Sequence, residues 1–173
     1  MYIPNRSYLE SGMQITYEDI QRQRAKLDQQ YEDRRTKLQQ DAYKLAEEYK
    51  ESLSLPKETW VDSSGTDRPY VMLGTINDKG LFQRASLSSI RLDENYALNF
   101  KIATIVDDSK ISGGSQYLIS ISMQYNDGRL CVVVGKGDTV IIVSSPDQTS
   151  AFHEVCAAIK QLIMIGFTDS RLG

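Results

Sequence analysis

The stretch TYEDIQRQRAKLDQQYEDRRTKLQQDAYKLAEEYKESLS, Thr16 to Ser54, decides the fold of the first part of the chain. It holds no Gly or Pro, and Thr36 is its only β-branched residue after Ile20. Ile20, Leu27, Tyr31, Leu38, Ala42, Tyr49 and Leu53 follow one another at alternating intervals of seven and four. An eleven-residue repeat has about 3.67 residues per turn, so its apolar positions stay on one side of a nearly straight helix. Leu45 falls beside Ala42 and Tyr49 on the same side. A strict heptad would instead bring Arg34 and Asp41 onto the seam. The pattern predicts a long, coiled-coil-like helix over about 17–54.

Its ends carry their own signals. Thr16 is placed to cap the first turn, and Asp19 stands three residues on, a shorter relative of the capping box. Ile15 and Ile20 occupy the staple positions on either side of that cap. Glu18 and Asp19 sit where the helix dipole favours negative charge. Pro56 ends the helix, because the residue before a proline avoids the α region. A helix of about 37 residues is a rod of about 55 Å. The chain beyond Pro56 would form a globule about 35 Å across. Part of the apolar stripe is therefore expected to meet a second copy or another protein. Ile20, Leu27, Tyr31, Leu38, Ala42, Leu45, Tyr49 and Leu53 are the expected interface, with Arg24, Arg34 and Arg35 at its rim, where charge sets partner choice and register.

Around the helix lie an irregular arm, residues 1–15, and a β-rich domain, residues 57–173. The arm has Pro4 and Gly12 against helix, yet carries Tyr2, Ile3, Tyr8 and Leu9. In the domain, Glu58–Asp62 and Tyr70–Ile76 are strand-sized, and Asn77-Asp78-Lys79-Gly80 reads as a turn. Leu81–Ile90 is a candidate hairpin partner. Tyr96–Val106 and Gln116–Tyr125 alternate with a period of two. Asn126-Asp127-Gly128 is a hairpin signal. Leu130–Val134 and Thr139–Val143 are β-branched apolar runs. Ser145, Pro146 and Gln148 announce a last amphipathic helix over about 146–165, closed by Gly166. The expected class is α+β, with about 5–7 antiparallel strands.

This order of strands followed by one amphipathic helix, over roughly 57–166, is similar to the layout of pleckstrin-homology-like domains. The resemblance is one of element count. An open antiparallel sheet with a helix across one face satisfies the same pattern.

Composition excludes several classes. The net charge is −3, and neither half of the chain has the basic excess of a nucleic-acid-binding surface. No stretch approaches the roughly 20 apolar residues of a membrane span. The first residues lack the order of a signal peptide. Two cysteines, Cys131 and Cys156, are too few for a disulfide framework. A cytoplasmic protein without membrane insertion is expected.

The candidate chemistry is sparse. His153 is the only histidine, and Ala157 stands where a zinc-protease helix needs its second one. Cys156 lies three residues from His153, within reach on a helix, but its place at the edge of the apolar arc favours core packing. Gly135-Lys136-Gly137-Asp138 leads into a strand, whereas a phosphate loop leads into a helix. Asp107-Asp108 and Asp93-Glu94 are adjacent loop acids. Trp60 is expected in the core. No catalytic residue, metal or cofactor is assigned. The expected function is non-enzymatic protein–protein interaction or assembly, of adaptor, secretion-associated or immunity type. The alternative is a small-ligand or headgroup-binding β-domain, with contacts from loops Ser63–Arg68, Asn77–Gly80 and Asp107–Ser115.

Overall fold

A computed structural model describes residues 14–137 and 139–173, so the expectations for the arm before residue 14 and for Asp138 lie outside the described residues. The chain divides into two compact units, Met1–Arg34 and Arg35–Gly173. Helix α1 spans Tyr17–Ser52. Within the first unit its start is fixed as expected. The Asp19 amide donates to Thr16 Oγ1 at 3.2 Å, and the Thr16 amide donates to the Asp19 carboxylate at 2.9 Å. These two bonds satisfy two donors that helix geometry would leave open.

The second unit is built on an antiparallel sheet. Its strands, in chain order, are β3 Val71–Ile76, β4 Phe82–Arg84, β5 Leu98–Ile105, β6 Gln116–Asn126, β7 Arg129–Val134 and β8 Thr139–Val143. They lie side by side in the order β4-β3-β5-β6-β7-β8. A separate hairpin joins β1 Thr59–Val61 to β2 Asp67–Pro69. Helix α2, His153–Gly166, follows the sheet. The fold is thus α+β, with a long first helix, a six-stranded antiparallel sheet and a C-terminal helix. The pleckstrin-homology-like layout is not confirmed; the open sheet describes this strand order.

Register decides which side chains face inward. Phe100, Ile121 and Val134 lie in line across β5, β6 and β7, as do Leu98, Met123 and Val132. All six are buried. Thr104 and Tyr125 share this face by the period of two. The second half of α1 lies over it. Tyr49 of α1 meets Thr104 through their hydroxyls at 2.7 Å, and Asp41 accepts the Tyr125 hydroxyl at 2.5 Å. The two bonds tie α1 to the neighbouring strands β5 and β6 at points well separated along the strands, since Thr104 pairs with Tyr117 and Tyr125 lies eight residues beyond it. Helix α2 packs on β6, β7 and β8. It is joined to α1 where Lys160 Nζ donates to the Ser52 carbonyl at 3.2 Å.

Helix α2 begins later than the Ser145-Pro146 signal predicts. Residues 146–152 form turns, with Ser150 at a φ of 60°. Phe152 precedes the helix without a side-chain cap of its own. Instead the Glu48 carboxylate of α1 accepts the Phe152 amide at 3.1 Å. The cap comes from tertiary structure. No helix among the described residues is long and apolar enough to cross a membrane.

Candidate interface on the first helix

The apolar stripe divides along its length. Leu38, Ala42, Leu45 and Tyr49 are fully buried in the second unit, beneath its own sheet. Leu53 is half-buried. These positions therefore serve the chain's own core rather than an outside partner. In the first unit, Tyr17, Ile20 and Leu27 are 74%, 58% and 52% exposed. Tyr31 is half-buried. Of the rim arginines, Arg24 approaches Asp28 at 4.0 Å on the exposed surface. Arg35 belongs to the fold: its guanidinium donates to the carbonyls of Ser88 at 2.6 Å and Ile90 at 3.1 Å.

Asp41 is the residue that pattern reading missed. It is fully buried on the sheet-facing side of α1. Lys37 Nζ lies 2.9 Å from it and also 3.0 Å from Asp147, which Lys44 joins at 2.8 Å. Burial works against charge on Lys37, but the bonds to Asp41 and Asp147 raise its pKa well above the ordinary lysine range. Burial, then donation to Asp41, pushes the Tyr125 hydroxyl up to about 12. The signal available in sequence was the lysine one turn before the aspartate.

The residues considered for chemistry are occupied elsewhere. Cys156 is buried, and burial together with the nearby Glu48 carboxylate pushes its thiol up to about 12. A thiol held protonated is a poor nucleophile. His153 is exposed. Trp60 is buried, and its indole N–H donates to the Pro69 carbonyl at 3.3 Å. Gly135 and Gly137, at φ of 78° and 82°, turn the chain from β7 into β8. Among the described residues, no group of three His, Cys, Asp or Glu side chains is placed to hold a metal ion.

The loop acids turn inward on their own backbones. Asp62 accepts from Ser64, Thr66 and Arg68, and these bonds, Ser64 and Arg68 first, hold its carboxyl far below the usual range. Asn77 Oδ1 accepts the amides of Lys79 and Leu81. Asp93 accepts the amides of Asn95 and Ala97. Asp107 accepts the Ser109 amide, which lowers its pKa. Asp108 accepts the Tyr70 hydroxyl at 2.5 Å, a bond that pushes Tyr70 up to about 12. Asp62, Asn77, Asp93 and Asp107 each close a local turn, whereas Asp108 ties its loop to Tyr70, the residue before β3. No protein-family model matches this chain, and neither a curated protein nor a solved structure shows significant similarity to it.

Proposed function

We propose that this chain is a non-enzymatic assembly protein that uses the first part of α1 to pair with another helix, from a second copy or a partner protein. One observation carries the reading. The helix runs from Tyr17 to Ser52, yet its stripe is buried from Leu38 to Tyr49 and exposed at Ile20 and Leu27, with Tyr17 exposed in the first turn. A marginal amphipathic helix is stabilised chiefly by packing. Thr16 and Asp19 fix its start, but capping does not cover the apolar side chains that follow. A helix from another chain, with matching apolar spacing, would cover them. Adaptor, secretion-associated and immunity-type proteins all fit this description.

The test is the solution mass of the full chain by analytical ultracentrifugation across a dilution series, beside Ile20→Glu/Leu27→Glu. Self-association that is lost in the double variant, with the circular dichroism of the sheet unchanged, supports pairing between copies. For a heterologous helix, a copurifying protein must be released by the same double variant. A wild-type chain that stays monomeric at high concentration and copurifies with nothing overturns the reading.

A further inference from the structure

The second unit holds a groove of about 990 Å³ between α1 and the free side of β3, walled by Gln39, Tyr43 and Lys50 on one side and Val71, Leu73 and Ala85 on the other. Gln39, Tyr43 and Lys50 recur at helical spacing on one face of α1.

The strand side is unfinished. β4 pairs only with Gly74, Thr75 and Ile76 of β3. The Ala85 amide adds one bond to the Leu73 carbonyl at 3.1 Å, and the chain then leaves through a 3-10 turn at Leu87–Ser89. The Tyr70 carbonyl accepts from Ile105 on β5, so Tyr70 points toward that strand, while Leu73 points away from it. Backbone groups alternate along a strand. The Val71 amide and carbonyl therefore face away from β5, where among the described residues no strand lies beside them.

Three further features meet at this place. Gln39 Nε2 is buried and has no acceptor among the described residues. Buried donors without partners are rare in folded proteins. Tyr43 is 60% exposed, an aromatic ring standing on the wall. The charged lining consists of Lys44, Lys50 and Arg84 against Glu47. Lys44 already pairs with Asp147, whereas Lys50 and Arg84 form no ion pair among the described residues.

We propose that this groove binds an extended peptide segment, carrying at least one Asp or Glu, as an added strand along the open edge of β3. An open strand edge is complemented by another strand, since a helix has already spent its backbone bonds on itself. The Val71 amide and carbonyl supply the ladder. A rotation of the Gln39 side chain, which lines the groove, brings its amide to a peptide carbonyl. Tyr43 offers a stiff apolar contact of the kind that anchors interfaces. Lys50 and Arg84 meet the acidic side chain and disfavour basic peptides.

The test is selection of a random twelve-residue peptide library against the full chain, with Tyr43→Ala/Lys50→Glu as counter-target. Both positions are exposed, so the variant keeps the fold; an unchanged melting curve verifies it. The most enriched peptide is synthesised and titrated by fluorescence anisotropy. Affinity at least 10-fold weaker for Lys50→Glu, slowed hydrogen exchange at the Val71 amide on saturation, and unaltered binding by Ile20→Glu/Leu27→Glu are expected. Val71→Pro, which removes that amide, is expected to abolish binding. The proposal is overturned by no enrichment over the counter-target, or by an enriched peptide that protects residues 17–34 instead. It is equally overturned if binding tolerates Lys50→Glu, or if blocking the groove only changes the oligomeric mass, which would make its occupant a second copy.

Discussion

The Tyr125 hydroxyl donates to Asp41 across 2.5 Å, joining β6 to the only buried carboxylate among the described residues. Lys37 supplies the opposite charge from one helical turn away, at 2.9 Å. A buried carboxylate is tolerated only when its charge is paired and its lone pairs are filled. Tyr125→Phe removes one filled lone pair and is expected to cost about 1–3 kcal/mol at pH 7 by urea denaturation. The same network gives a pH dependence. Tyr125 and Lys37 both have folded values above their free ones, with Tyr125 near 12. The stabilisation is complete below about pH 10 and is lost as the pH rises through 12, because the unfolded chain releases those protons first. Stability of Tyr125→Phe should therefore fall less steeply than wild type over that alkaline window.

Two leucines of one stripe should respond very unequally to the same substitution. Leu38 is fully buried, so Leu38→Glu places an unpaired charge in the core and is expected to cost about 3–5 kcal/mol, a large share of the roughly 5–15 kcal/mol that holds an ordinary domain folded. Leu27 is half exposed, and Leu27→Glu is expected to change domain stability by less than about 0.5 kcal/mol. Thermal melts of the two variants check this. Equal destabilisation would contradict the division of the stripe.

Much of this architecture was legible because it rests on local chemistry. A run without Gly or Pro, capped by Thr16 and Asp19, can hardly be other than helix. Asp127 and Gly128, at φ of 50° and 76°, turn β6 into β7 where the sequence announced a hairpin. The features that escaped depend on distant residues. The strand β2, Asp67-Arg68-Pro69, has no alternation and is held by register with β1. The start of α2 is set by Glu48, a residue over 100 positions away. Asp41 reads as a mismatch in a heptad until Tyr125 and Lys37 are brought to it. The division of the stripe into buried and exposed halves depends on where the sheet lies, which no periodicity encodes.

Gly74 is required by crowding rather than by backbone angle. A Cβ there would stand 2.2 Å from the Gln83 carbonyl oxygen and 2.8 Å from the Phe82 ring. The carbonyl belongs to the β4 ladder and cannot swing aside. Gly74→Ala is expected to cost about 1–3 kcal/mol and to detach β4 from β3 first. Hydrogen exchange should show the Thr75 and Gln83 amides opening before those of β5 and β6. Uniform opening of the whole sheet would contradict it.

Glu48 joins two roles at the start of α2. Its carboxylate accepts the Phe152 amide at 3.1 Å and the Cys156 thiol at 3.5 Å. In the native protein Cys156 is expected to resist iodoacetamide at pH 8, because burial and that carboxylate keep the thiol protonated. Glu48→Ala removes the cap at a cost of about 1 kcal/mol. It also lets Cys156 react faster than in wild type, read by mass spectrometry of the labelled peptide. Rapid labelling of wild-type Cys156 would show that this end of α2 opens freely.

Gln39 separates fold stability from binding. Its buried Nε2 lacks an acceptor among the described residues, so the folded chain bears the cost of stripping that donor of water. Gln39→Leu keeps the approximate volume and removes the donor. It is expected to leave stability unchanged or raise it by about 1 kcal/mol, measured by urea denaturation of the full chain. The same substitution should weaken the peptide selected against the groove, since the carbonyl that Gln39 would meet loses its donor. A buried polar group whose removal stabilises the fold while weakening a ligand is kept for the ligand. If Gln39→Leu instead destabilises the chain by more than about 1 kcal/mol, the amide already has a partner within the fold, and the groove loses one of its supports.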